Sequence, residues 1–66
     1  MKKEFLKICK DLGQTIKSYK TYRSDFGCQV YEIILGNHVF HDSYIIGERN
    51  GKERLLERFK DELSSL

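Results

Sequence analysis

The chain has 66 residues, a formal net charge of +2, 39% hydrophobic residues and no proline. That length allows one domain at most, expected to be too small to enclose a substrate pocket by itself. No stretch approaches the ~20 apolar residues of a membrane-spanning helix, and the hydrophobic content argues against a disordered linker.

The charge is unevenly placed. Residues 1–23 carry +5, residues 24–51 carry −3, and residues 52–66 are neutral. A basic N-terminal third is the electrostatic sign of an anionic partner. Cys9 and Cys28 are the only cysteines. With no signal-peptide pattern at the start, they suggest reduced thiols in the cytoplasm.

Phe5, Ile8, Cys9, Leu12 and Ile16 recur at three- and four-residue spacing, which predicts an amphipathic helix over 3–18. Lys3, Lys7, Lys10 and Lys17 fall on its opposite face. Residues 19–23 are rich in strand formers and predict a short strand, followed by a turn at Ser24-Asp25-Phe26-Gly27.

Residues 28–46 read as a hairpin with strands 28–35 and 38–46 around Gly36-Asn37. A two-residue loop pairs Leu35 with His38, Ile33 with Phe40 and Glu32 with His41. A three-residue loop would instead oppose Glu32 and Asp42, so the shorter loop is favoured. One face then carries Tyr31, Ile33, Leu35, Phe40, Tyr44 and Ile46, bulky enough to meet the helices. The other carries Cys28, Val30, Ile34, Val39 and Ile45, with Glu32, His41 and Ser43 among them.

Asn50 with Glu53 three residues later suits a capping box, opening a helix over 51–65. Its apolar stripe is Leu55, Leu56, Phe59, Leu63 and Leu66, and its outer face mixes Arg54, Glu57, Arg58 and Asp61. The expected fold is a single α+β domain over residues 1–66, ordered α-β-β-β-α, with two helices on one face of a small antiparallel sheet. The second sheet face has no cover of its own.

Catalytic and metal chemistries fit poorly. His38 and His41 are three apart on one strand and point to opposite faces, and zinc needs about four converging ligands. Cys28 and His41 share a face but lie about 13 Å apart at ~3.3 Å per residue. Neither cysteine has a histidine placed to activate it. Gly47 to Lys52 is one residue short of a phosphate loop, with Glu53 where Ser or Thr is required. Neither an enzyme, a cofactor, a metal, a membrane nor a small-molecule substrate is expected.

Two binding readings follow. The first is weak, sequence-tolerant and salt-sensitive contact with a nucleic-acid backbone through Lys3, Lys7, Lys10, Lys17, Lys20, Arg23, Lys52 and Arg54. The segment Lys17 to Arg23 interleaves cations with Tyr19 and Tyr22, a combination suited to phosphates and bases. The second is a protein contact, either a homodimer or a small regulator. It would use Cys28, Val30, Glu32, Ile34, Val39, His41 and Ile45 on the uncovered sheet face.

The order α-β-β-β-α in about this length resembles the double-stranded-RNA-binding domain. The resemblance implies phosphate contacts at the start of the second helix, where Lys52 and Arg54 stand. That family's Gly-Pro-x-His loop is replaced here by Ser24-Asp25-Phe26-Gly27. Its paired lysines and alanine-rich second helix are replaced by Gly51-Lys52-Glu53-Arg54-Leu55-Leu56.

Overall fold

Three phenylalanines meet at the centre of the computed structural model, which describes residues 1–66. The Phe5 and Phe59 rings lie 4.7 Å apart edge to face, and Phe40 and Phe59 lie 4.9 Å apart in the same way. This geometry directs the positive ring edge at the negative ring face and adds to the stabilisation from burial. The three residues come from different elements, so the cluster joins both helices to the sheet.

The elements are α1 (Lys2–Asp11), β1 (Ser18–Arg23), β2 (Cys28–Leu35), β3 (His38–Ile45) and α2 (Gly51–Ser64). The antiparallel sheet has the order β1-β2-β3. The hairpin register is the one favoured by the charges, with Leu35 opposite His38, Ile33 opposite Phe40 and Glu32 opposite His41. Gly36, at φ 58°, supplies the left-handed residue that the two-residue turn requires.

The helices cover one sheet face. Tyr31, Ile33, Leu35 and Phe40 are buried there beside Phe5 and Cys9 of α1 and Leu55, Phe59 and Leu63 of α2. The expected inward set is therefore correct except at its end. Ile46 is 38% exposed, because β3 stops at Ile45 and Gly47 (φ 90°) turns the chain away.

The first helix is much shorter than its periodicity suggests. It spans Lys2–Asp11, not 3–18, because Gly13 adopts φ 70°. The Gln14 amide donates to the Cys9 carbonyl at 2.8 Å and the Gly13 amide to the Lys10 carbonyl at 3.3 Å. These two bonds form a Schellman motif and close the helix. Leu12 and Ile16 still pack against the core, but from the connecting segment. The whole stripe is apolar and inward, as expected, but only its first part is helix.

Other boundaries move by one residue. The first strand begins at Ser18, the third ends at Ile45, and the second helix ends at Ser64. Leu66 lies beyond that helix and is 60% exposed, so it does not extend the apolar stripe. The capping box does not form. Asn50 is left-handed at φ 62° and makes no side-chain cap bond, whereas side-chain capping calls for an extended backbone. At the next residue, an added Cβ on Gly51 would stand 3.1 Å from Tyr44 Cδ2, so a side chain there would press on β3.

Candidate functional site

The sheet face away from the helices forms a grid of four cross-strand rows. The first is Ser18, Ile34 and Val39. The second is Lys20, Glu32 and His41, and the third is Tyr22, Val30 and Ser43. Cys28 and Ile45 form the fourth. Strand alternation sends all these side chains to the same side.

Ile34, Val39, Ile45 and Tyr22 are 38%, 56%, 57% and 41% exposed. Phe26, in the β1–β2 turn at the fourth-row end, is 93% exposed. Val30 differs from its neighbours: it is buried, because it occupies the central strand between Tyr22 and Ser43. Cys28 and Glu32 are half-buried. The grid thus has apolar ends and a charged middle row.

In that row His41 Nε2 lies 3.7 Å from a Glu32 carboxylate oxygen, with the imidazole 60% exposed. Lys20 stands opposite Glu32 on the other side, but its ammonium lies over the Tyr22 ring, 5.8 Å from the centroid. Exposed pairs of this kind contribute little to stability, and their larger effect is on which surfaces can approach. Cys28 is a free thiol at the edge of the grid. No three metal-binding side chains converge anywhere in the chain. No helix is long and apolar enough to cross a membrane.

The eight basic residues are distributed over three places. Lys3, Lys7 and Lys10 share the solvent side of α1. Lys17 has left that row, because the helix ends at Gly13 and the Lys17 amide instead donates to the Ile34 carbonyl at 2.7 Å. Lys20 joins the sheet grid. Arg23 and Lys52 border an open groove of about 500 Å³ at the start of α2, which Glu48 and Glu53 also line. Arg54 is tied to Glu48 at 3.0 Å. The groove therefore presents both signs of charge to any anion.

Of the Lys17 to Arg23 aromatics, only Tyr19 turns to the core, where its ring lies 6.1 Å from Phe5. Burial raises the Tyr19 hydroxyl above its ordinary value, and the nearby Glu4 carboxylate adds to the effect. Tyr22 points the other way, into the grid.

Two polar contacts join α2 to β3 on the helix-covered side, and neither pairing is apparent in the sequence. His38 Nε2 meets a Glu62 oxygen at 2.5 Å. Arg58 donates to both Asp42 oxygens, at 2.7 and 3.3 Å, and to the Ser43 carbonyl at 3.1 Å. The Asp42 carboxylate thereby holds the guanidinium charge, shifting Arg58 further above its already high ordinary value. The signal in the sequence is the spacing: His38 and Asp42 are four apart on one strand face, and Arg58 and Glu62 are one helical turn apart. The match emerges once α2 is seen to run antiparallel over β3.

No known protein family, curated protein or solved structure matches the chain. The likeness to the double-stranded-RNA-binding domain rests on element order alone.

Proposed function

We propose that this chain is a non-enzymatic interaction module that binds another protein surface through the open face of its sheet. The observation that supports this reading is the pair of exposed apolar ends of the grid, Ile34 and Val39 at one and Tyr22, Ile45 and Phe26 at the other. Clustered apolar exposure marks contact sites, whereas single exposed apolar residues do not. The charged middle row would orient the partner, because an apposed surface must answer Glu32 as well as Lys20 and His41.

The expected affinity is modest. Three strands at ~4.8 Å spacing and eight residues at ~3.3 Å give a planar footprint of about 380 Å². Stable complexes bury roughly 800 Å² on each partner. A contact through this face alone belongs to the transient class, and a second copy is the first partner to test. Sedimentation velocity over a wide concentration range should show reversible self-association that Val39→Asp abolishes. A wild type that stays monomeric throughout, with an unchanged profile for the variant, would remove self-association from this reading.

A second reading is contact with a nucleic-acid backbone. It is favoured by Lys3, Lys7 and Lys10, which lie along one side of α1 and take part in no ion pair. Replacing any one of these lysines by alanine would weaken binding and flatten its salt dependence. Anisotropy titration of duplex RNA, duplex DNA and single strands at low salt tests it. Absence of binding to all three would eliminate it.

A further inference from the structure

We infer that the free edge of β1 is a docking site for an extended, acidic peptide segment, which would add a fourth strand to the sheet. This edge is a different surface from the open face, with Lys20 belonging to both.

The two sheet edges differ in their free backbone groups. The Ser24 amide donates to the Cys28 carbonyl at 2.8 Å, and the Ile46 amide to the Gly27 carbonyl at 2.9 Å. These bonds set the phase of both ladders. Even-numbered residues of β1 bond β2, and even-numbered residues of β3 bond β2 from the other side. Odd-numbered residues therefore turn their N–H and C=O groups outward on each edge.

On β3 the outward groups at the end nearest α2 are occupied, those of Val39 and His41 being free like their counterparts on β1. The Ser43 amide donates to Asp42 Oδ1 at 2.7 Å, and the Ser43 carbonyl accepts from Arg58 at 3.1 Å. The Ile45 carbonyl accepts from the Glu48 amide at 3.0 Å. A strand arriving there would have to displace these partners. On β1 the outward groups belong to Tyr19, Thr21 and Arg23, and no other group of the chain bonds them. Such a row of unmet donors and acceptors is the template for strand addition.

The charges around this edge select the occupant. Residues 17–23 hold Lys17, Lys20 and Arg23 and no acid. Lys2 of α1 adds a fourth cation, its ammonium 5.5 Å from the centroid of the Tyr19 ring. None of these four side chains forms an ion pair. The carboxylates around it already have other neighbours: Glu4 acts on Tyr19, Glu32 lies beside His41, and Glu48 and Glu53 share with Lys52 the groove that Arg23 borders. Lysine on an edge discourages neutral strands, and a second β1 would bring like charges together. An acidic strand gains both the backbone bonds and the charge match. Its side chains would alternate between Lys20 on the open face and Arg23 and Lys2 on the helix-covered side.

The test uses a fluorescent decapeptide alternating threonine and glutamate, the same peptide with lysine for glutamate, and an acidic version N-methylated at every residue, which blocks both of its edges. The acidic peptide should bind saturably at low salt, with amide protection appearing at Tyr19, Thr21 and Arg23 in NMR. Methylation and the lysine peptide should each abolish binding. Lys20→Glu should weaken binding about tenfold through charge reversal. Thr21→Pro should do so by removing one outward N–H at a position where β2 loses no backbone bond. Lys20→Glu covers the case in which Thr21→Pro fails to fold. Equal binding of the methylated peptide, shifts centred on Lys3, Lys7 and Lys10, or absence of saturable binding would each overturn the inference.

Discussion

The two faces of this sheet are made of similar residue types and have opposite fates. Tyr31, Ile33, Leu35 and Phe40 are buried under two helices, while Ile34 and Val39, one residue away along the same strands, remain exposed, as does Ile45 at the end of β3. β-branched and aromatic composition therefore does not decide burial here. The decision lies with Phe5, Phe59 and Leu55, which the helices bring to one side only. This chain holds more apolar sheet surface than its two helices can cover.

Phe59→Ala should erase the contrast between the faces most completely. The ring is fully buried and packs edge to face on both Phe5 and Phe40. Truncation of such a ring costs about 3–5 kcal/mol, comparable to the whole stability of a domain this small. Denaturant titration should show the variant largely unfolded. A loss under about 1 kcal/mol would mean that the inner face is not the main source of stability.

The two thiols report on the faces separately, since Cys9 of α1 packs against the inner face and Cys28 lies on the open one. Cys9 is 2% exposed and burial raises its thiol above the ordinary value of 9.0, so little nucleophilic thiolate forms. Cys28 is half-buried at the edge of the open face. With a disulfide reagent, Cys28 should react about 100-fold faster, because Cys9 must wait for the core to open. Comparable rates would show that α1 detaches readily.

Alkaline pH tests the inner face. Burial raises Cys9 from 9.0 and raises Tyr19 and Tyr31 from 10.0, with Tyr44 and Tyr19 adding to the Tyr31 shift and the Thr21 hydroxyl opposing it. Groups whose folded values lie above their unfolded ones contribute stability that is fully present below the unfolded values and lost as pH rises through the folded ones. Urea midpoints should therefore fall steadily above pH 9.0. A flat profile there would contradict burial of these three groups.

Arg58→Ala tests the rim between the faces. The side chain is about half exposed, so its loss should cost only about 1 kcal/mol. It also frees the Ser43 carbonyl, and the β3 edge should become prone to pairing, which light scattering at high concentration would detect.

Much of this contrast is legible in the sequence because strand periodicity is two. The single decision between a two- and a three-residue loop assigns every hairpin side chain to a face, and the charges of Glu32, His41 and Asp42 are enough to make it. The first helix misleads because Leu12 and Ile16 keep the 3.6-residue stripe beyond the point where Gly13 turns left-handed. An apolar stripe reports burial, and only the backbone reports what carries it. The pairs His38–Glu62 and Asp42–Arg58 are hidden for a different reason. They depend on the direction in which α2 crosses β3, which no local pattern encodes. The basic residues look like one surface in the sequence and occupy three, because Lys17, Lys20 and Arg23 follow the sheet and not the helix.

The smallest effect is expected on the open face. Val39→Thr keeps the branched shape and the strand preference while replacing a methyl with a hydroxyl. Val39 is 56% exposed, so the change removes little buried apolar area, and the folding stability of the monomer should stay within about 0.5 kcal/mol. The hydroxyl would be solvated in the free protein and desolvated in a complex, so the substitution should act mainly on association. An unchanged urea midpoint with weakened self-association in sedimentation would separate the two faces: one serves folding and the other serves contact. A loss of more than about 1 kcal/mol in dilute solution would instead mean that the monomer already covers Val39, and the open face would no longer be open.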